Sequence, residues 1–416
     1  MSKFVVQSFI AAALLFLTTA AAQEVTLRFV FMAGVYGDAF EVLIEDFEAA
    51  NPDIGIELQG IPYNQFMQTM TTRILGGDAP DVAYVLDRWA NAFAGQGVLV
   101  PLDDRVPDDY VSQLLDFHWG EFEYQGAHIG VPLTFNIQSL VVNKTALDAA
   151  GIDIPQTFED AWTWDELIEV GRQLKEAGVV RFPFSHWPNS TPSRLSQYLV
   201  AEGGSILTPD LSAPNLDNDV TREMLAEIQT TFDDELVPPD NWATPGEIWP
   251  LFLSGQVGIQ VAGGNFSKAS IDQAMVDFEW TYSIMPTTLG TANPLIMFEQ
   301  SEHPEEAWRF IEFLMQPESV LKLAEISSNL PARQDLGVDA LAAAFGDDAA
   351  KMQLLMTEQT RGITPTILNE MSSPAWSEID LFLRGKLEEL SLGVITPDQF
   401  IEESGPEIER ILATYN

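Results

Sequence analysis

After an apolar N-terminal stretch, the chain alternates between the two-residue period of a strand and the 3.6-residue period of a helix. The apolar positions alternate in "VTLRFVF" (25–31) and "DIGIELQG" (53–60), whereas those of "DAFEVLIEDFEAA" (38–50) recur at helical spacing. A second helix is predicted from about Asn64 to Leu75, and "APDVAYVLDRW" (79–89) reads as a third, buried strand. The order β-α-β-α-β requires parallel strands joined by right-handed crossovers, so we predict an α/β fold.

Polar and aromatic residues follow each of these three predicted strands. In a parallel sheet, ligands bind outside the carboxyl ends of the strands, so the three following loops should open on one edge. We predict that the last residues of the third strand emerge in a cleft. The residues of this edge are Tyr36 and Asp38 after the first strand, Tyr63 and Gln65 after the second, and Asp87, Arg88 and Trp89 after the third; all but Tyr63 are candidate ligand-binding residues.

Length and charge narrow the class of protein further. A chain of 416 residues is too long for one ordinary core, and two lobes are expected. The 62 Asp and Glu residues exceed the 20 Lys and Arg residues by 42 negative charges. Such a field repels nucleic acid and anionic membrane surfaces, so neither is expected as a partner. The acids are scattered along the whole chain, which favours a solvated acidic surface over a site for one cationic ligand.

The N-terminus is typical of a secretory signal. Lys3 precedes an apolar stretch from Phe4 to Leu17, and the small residues 20–22 predict cleavage before Gln23. The chain has no cysteine, so neither disulfides nor a lipid anchor on a cysteine is expected. We therefore predict an exported, periplasmic, monomeric protein that is not lipid-anchored.

The sequence contains no recognisable motif for catalysis, metal binding or cofactor binding. The four histidines include no i, i+4 pair, and no nucleophile elbow, phosphate-binding loop or dinucleotide fingerprint is present. Because acids are so abundant, no pair of carboxylates indicates a glycosidase by itself. We predict no catalytic residue, no metal site and no cofactor.

Aromatic residues near predicted strand ends favour a carbohydrate ligand. Aromatic rings cover the apolar faces of a sugar, while Asp, Asn, Gln and Arg pair with its hydroxyl groups. Asp87, Arg88 and Trp89 supply both kinds of contact within three residues. For each aromatic taken singly, packing in a core is the alternative interpretation. The aromatic candidates are Tyr36, Trp89, Trp187, Trp249 and Phe266.

Six stretches follow one another between about residue 25 and the C-terminus: "GGDAPDVAYVLDRWANAFAGQGVLVPLDD", "GVPLTFNIQSLVVNKTALDAAGI", "TWDELIEVGRQL", "LFLSGQVGIQVAGG", "HPEEAWRFIEFLMQPESVLKLAE" and "NLPARQDL". In this order and spacing, they make the chain resemble the extracellular solute-binding proteins of ABC importers, of the maltose-binding-like, sugar-binding type.

The resemblance implies a two-lobe periplasmic-binding-protein fold, a venus flytrap with two or three hinge crossings. Lobe I would comprise 23–135 and 287–331, and lobe II 136–286 and 332–416. "TFNIQSL" matches the first crossing and places Asn136 and Gln138 near the ligand.

Two further stretches extend the implied site into the second lobe. "AGGNF" matches a loop that often presents an aromatic residue to the sugar, here Phe266 after Asn265, and "SHWPNS" matches a cleft loop with Trp187. The sequence departs from the family in the short segment 290–297, where a longer Gly-rich stretch is usual. It also has Tyr36 rather than a tryptophan in the first loop.

The resemblance implies a periplasmic substrate-binding component that captures a sugar or oligosaccharide between its lobes and delivers it to an ABC permease. Two alternatives stay open at this point. A binder of a cationic solute such as a polyamine would need several converging acids, and a secreted carbohydrate-active enzyme would need a carboxylate pair at hydrolytic separation.

Overall fold

The computed structural model describes residues 24–34, 36–186, 191–239, 241 and 248–415. The predicted signal peptide (1–22) and Trp187 lie outside these ranges. The described strands are β1 (Val25–Ala33), β2 (Ile54–Pro62), β3 (Val82–Tyr84), β4 (Glu123–Tyr124), β5 (Ala127–His128), β6 (Val131–Asn143), β7 (Phe182–His186), β8 (Val257–Gly263), β9 (Trp280–Ser283), β10 (Gly290–Met297) and β11 (Leu330–Pro331).

The strands alternate with α-helices along most of the chain. The described helices are α1 (Gly37–Ala50), α2 (Tyr63–Leu75), α3 (Asp87–Gly95), α4 (Asp108–Val111), α5 (Asp116–Gly120), α6 (Lys144–Ala150), α7 (Trp164–Ala177), α8 (Thr191–Ala201), α9 (Asp219–Asp233), α10 (Ile248–Leu253), α11 (Gly264–Ala274), α12 (Pro304–Leu314), α13 (Pro317–Ser327), α14 (Val338–Phe345), α15 (Ala349–Thr357), α16 (Pro365–Ser372), α17 (Trp376–Ser391) and α18 (Pro397–Leu412). Short 3₁₀ turns occur at Phe158–Asp160, Gly346–Asp348 and Gln359–Gly362.

The predicted β-α-β-α-β unit is confirmed. Strand β1 pairs in parallel with both β2 and β3, and helices α1 and α2 make the crossovers. Strand β10 then pairs antiparallel with β3 on one side and with β6 on the other. The order across the sheet is β2-β1-β3-β10-β6-β8-β7, with β9 and β11 also pairing with β6.

Two hydrophobic cores lie along this sheet, and strand β6 contributes residues to both. Leu133 and Phe135 of β6 pack in the first core, whereas Leu140 and Val142 pack in the second. In the first core, the ring of Phe29 on β1 meets that of Phe40 on α1 edge-on, with centroids 4.9 Å apart. The second core is built mainly by β7 and β8 with helices α7, α8, α9, α17 and α18.

Helices α14 and α15 pack in the first core, to which Leu341 and Leu355 belong. Helix α14 packs on α13, and α15 packs on β9. The ammonium group of Lys351 on α15 lies 3.8 Å from the ring centroid of Trp280 on β9. The lobe boundary at 331/332 stays a prediction.

The third predicted strand is shorter than expected. The prediction that 79–89 is a buried strand was wrong beyond Tyr84, because β3 ends there and Asp87 begins α3. The amide of Val85 donates to the carbonyl of Pro294 at 3.1 Å, one residue beyond the end of β3. A carboxylate in the first turn of a helix is favoured by the helix dipole, so Asp87 starts a helix readily.

Candidate functional site

An aromatic group surrounds Arg88 at the carboxyl ends of β2 and β3. The ring of Trp89 stacks on that of Phe66, with centroids 4.5 Å apart and planes 7° from parallel. The ring of Tyr63 lies 5.4 Å from that of Trp89, and Arg88 Nη2 donates to the Tyr63 hydroxyl at 2.9 Å. Tyr63 is 54% exposed, whereas Trp89 is only 7% exposed. The loops after the second and third strands therefore meet at one edge, as predicted.

Charged groups from both cores adjoin this aromatic group. Burial raises the pKa of the Asp87 carboxyl, and the neighbouring Arg88 only partly offsets that. Burial lowers the pKa of the Arg88 guanidinium, but Asp87, Tyr63 and Asp380 more than offset it, so the net shift is upward. Asp380 lies on α17 of the second core and accepts from Arg384 Nη2 at 2.8 Å. Arg88 thus interacts with acids on both sides of the junction between the cores.

Tyr36 lies beneath this edge and has no exposed surface. Its ring is 5.0 Å from that of Tyr84, and its hydroxyl donates to Asn329 Oδ1 at 3.3 Å and accepts from Asn293 Nδ2 at 3.4 Å. Burial raises the pKa of Tyr36 to about 12, against the opposing effect of side-chain hydrogen bonds with Tyr84 and Asn136. Tyr36 and Asn136 are therefore neighbours, and their contact with a ligand stays a prediction.

Gln138 lies where β6 passes between the cores. Its side-chain oxygen accepts from Gln197 Nε2 at 2.7 Å, and its carbonyl accepts from the Thr288 hydroxyl at 2.6 Å. Its amide donates to the carbonyl of Leu289 at 3.0 Å. These bonds connect β6, α8 and the segment before β10, which are parts of the chain far apart in sequence.

The other predicted residues are more scattered. Asp38 and Gln65 are exposed in the first turns of α1 and α2. Trp249 is half-buried on α10, its ring stacked on that of Phe252 with centroids 5.2 Å apart. Asn265 and Phe266 belong to the first turn of α11, and their side chains are outside what the structure describes.

Two residues that were not among the candidate ligand-binding residues join the site. Tyr63, which the sequence places with Gln65 at the edge after the second strand, is the partner of Arg88. Glu121, which follows α5, places Oε2 2.9 Å from the amide of Ala292 on β10, and its charge interacts with that of Asp87. Signals for both were weak, because Tyr63 is one of several aromatics and Glu121 is one of 62 acids.

The described ranges contain neither a metal site nor a membrane-spanning helix. No group of three or more His, Asp or Glu side chains there is arranged to hold a metal ion. No described helix is both long enough and apolar enough to cross a membrane.

The fold is that of two-lobe periplasmic binding proteins: two α/β units share strand β6, and aromatic and charged side chains gather where they meet. The family model for bacterial extracellular solute-binding proteins matches residues 33–320. The chain belongs to this family.

Several relatives match over nearly the whole length. A binding protein of Brucella abortus is 24% identical over 405 residues, 95% of each chain. The maltotriose-binding protein of Pyrococcus abyssi is 24% identical over 374 residues, 84% of this chain and 78% of that one. The ABC substrate-binding protein of Listeria monocytogenes, solved with cycloalternan, superposes with a TM-score of 0.78 at 21% identity, covering 94% of this chain and 99% of that one.

Proposed function

We propose that this protein is the periplasmic substrate-binding component of an ABC importer and that it captures a sugar or oligosaccharide between its two lobes. It delivers this ligand to a membrane permease, acts as a monomer and catalyses no reaction. In this proposal the signal peptide is cleaved before Gln23, no lipid anchor is attached, and no cofactor is needed. The lobes are 23–135 with 287–331, and 136–286 with 332–416.

The observation that carries the proposal is the group formed by Tyr63, Arg88 and Trp89. An exposed tyrosine ring beside a tryptophan offers an apolar platform for a sugar face, and the planar guanidinium supplies several fixed donors beside it. Family membership adds support, as do relatives whose names and ligands include maltotriose and cycloalternan.

The mechanism follows from a site divided between two lobes. In the open state each lobe exposes half of the site, and a ligand that touches both halves shifts the population towards the closed state. Arg88 and Asp380 lie on different cores and attract each other, so they favour closure as well. Buried donors and acceptors that match the sugar hydroxyls would discriminate against analogues lacking one of them.

A thermal-shift screen of the mature protein against mono- and oligosaccharides, polyols and polyamines tests this proposal. A ligand at 100 times its Kd should stabilise the protein by about 2.7 kcal/mol. We expect one or more sugars to raise the melting temperature at saturating concentration, and the same sugar to be recovered unchanged after incubation.

Three outcomes separate the alternatives. If only di- and polyamines raise the melting temperature, the protein is a binder of cationic solutes and the sugar proposal fails. If the sugar is hydrolysed, the protein is a carbohydrate-active enzyme. If no member of the panel raises the melting temperature, the proposed ligand class is wrong.

A further inference from the structure

The carboxylate of Glu121 is buried against strand β10 in the first lobe. It follows α5 and precedes the β4–β5 hairpin, and its Oε2 accepts from the amide of Ala292 at 2.9 Å. Ala292 is fully buried in β10, where it pairs with Phe135 of β6. The carboxylate therefore points into the sheet at a fixed place, near the centre of the strand order.

Glu121 lies close enough to Asp87 for the two charges to interact. Strand β10, which carries Ala292, pairs antiparallel with β3, with Leu295 opposite Tyr84 and the carbonyl of Pro294 accepting from Val85. Helix α3, which begins at Asp87, follows β3 and also packs on β10. Burial raises the pKa of Glu121 well above its usual range; the Ala292 amide lowers it, and the charge of Asp87 raises it further.

The second oxygen of Glu121 has no partner within the described residues. Its Oε1 is buried and accepts no hydrogen bond there. A buried acceptor without a donor is costly, and such groups in native proteins call for a functional explanation.

Glu370 is a second buried glutamate of this molecule, and its role is structural. Its Oε1 accepts from the amides of Ile206 and Leu207, the latter at 2.8 Å, and its Oε2 accepts from the Ser196 hydroxyl. Both of its oxygens are satisfied, and they hold α8, α16 and the segment after α8 together. Glu121 uses only one oxygen in this way.

We propose that Glu121 is a ligand-binding, specificity-determining residue: Oε1 accepts a hydrogen bond from one hydroxyl of the sugar while Oε2 remains bonded to Ala292. This inference rests on the proposed sugar-binding function and adds a second carboxylate beside Asp87 to the site. The ligand hydroxyl supplies the donor that the protein lacks, so bound sugar removes the cost of the buried oxygen.

The test compares three substitutions in the mature protein, using the sugar that stabilises the wild type most. Glu121→Gln should raise the Kd measured by calorimetry at least about tenfold, while the melting temperature without ligand stays the same or rises. Glu123→Gln, at an exposed position on β4, should change neither quantity. Glu370→Gln should lower the melting temperature and leave the Kd within about twofold.

Singly deoxygenated analogues of that sugar identify the contact. One analogue should bind the wild type more weakly than the parent sugar, and that difference should vanish in Glu121→Gln, because the bond is already lost. If every analogue loses the same affinity in both proteins, Glu121 does not contact a hydroxyl group.

The failure of this inference is distinguishable from failure of the proposed function. If the wild type binds a sugar and Glu121→Gln binds it within about twofold, Glu121 is not a ligand contact and the sugar-binding function stands. If no sugar binds the wild type, both are overturned.

Discussion

His118 is fully buried, and its protonation should make the stability of the protein depend on pH under acidic conditions. Its ring meets Phe117 with centroids 4.4 Å apart, and burial lowers its pKa to about 3. In the unfolded chain this histidine has an ordinary pKa near ~6.5. Between that pH and about 3, the unfolded chain therefore binds a proton at His118 and the folded chain does not. The stability that depends on neutral His118 is therefore complete above that pH and is lost as the pH falls towards 3.

We predict that His118→Leu weakens the acid sensitivity of folding. Between pH 7 and pH 5 the wild type should lose about 2 kcal/mol more unfolding free energy than the variant, as measured by urea denaturation. From pH 8 to pH 7 the two curves should run parallel, which serves as the control. An equal loss in both proteins down to pH 5 would show that His118 is protonated in the folded state.

Substituting Tyr63 should distinguish a loss of ligand binding from a loss of stability more clearly than substituting Trp89. Trp89 stacks on Phe66 and is nearly buried, so Trp89→Ala should cost about 3–5 kcal/mol of stability. Tyr63→Leu removes an exposed ring and should change stability by less than about 0.5 kcal/mol. It should nevertheless weaken sugar binding at least about tenfold, because the platform and the anchor of Arg88 are lost.

Calorimetric Kd values and thermal melts of Tyr63→Leu and Tyr63→Phe check this prediction. Tyr63→Phe keeps the ring and loses only the bond to Arg88, so its Kd should lie between those of the wild type and Tyr63→Leu. Unchanged binding by a folded Tyr63→Leu would place the ligand elsewhere.

At the scale of elements, sequence periodicity predicted the first β-α-β-α-β unit, because the spacing of apolar residues follows from which face of each element is buried. Strand β1 and helix α1 form where the apolar pattern places them. The box of Thr163 and Glu166 caps α7, and Gly178 ends that helix in the left-handed conformation. These signals are local, and so the sequence contains them.

Side-chain partners across the sheet were harder to predict because they depend on strand register. An apolar run cannot show that β3 ends at Tyr84, since this depends on where β10 stops pairing with it. In the same way, the position of Glu121 beside Asp87 depends on Ala292, which is distant in sequence. The abundance of acids hid Glu121, the one carboxylate in the described ranges with a buried oxygen that accepts no hydrogen bond.

The start of β10 is packed too tightly for a side chain. A Cβ atom added to Gly290 would overlap Ile363 Cδ1 and would lie 3.1 Å from Cγ1. Gly290 pairs with Ile137 on β6, close to the point where β6 passes between the cores. Gly290→Ala is expected to cost about 1–3 kcal/mol through overpacking.

A double-mutant cycle measured by urea denaturation tests the cause. Ile363→Val removes the overlapping methyl group, so it should restore much of the stability lost in Gly290→Ala. Alone, Ile363→Val should cost about 0.5–1.5 kcal/mol. Additive effects of the two substitutions would mean that the strain arises elsewhere.

At the scale of the whole molecule, the excess of acids dominates electrostatics. The net charge is −42, and each lysine in the described ranges already pairs with an acid: Lys144, Lys175, Lys268, Lys322, Lys351 and Lys386. Such exposed pairs contribute little, with a median of about 0–1 kcal/mol. The unpaired acids repel one another, and this repulsion opposes the compact state.

Salt should therefore stabilise this protein. Raising NaCl from 0.01 M to 1 M shortens the screening length from about 30 Å to about 3 Å, so distant repulsions fade while only weak surface attractions are lost. We predict that the melting temperature without ligand rises by at least about 4 °C, which corresponds to roughly 3 kcal/mol for a chain of this length. Sucrose at matched osmolality controls for solvent exclusion and should give a smaller rise. A melting temperature that falls with NaCl would show that the attractive pairs outweigh the repulsion, and the acidic surface would then need another explanation.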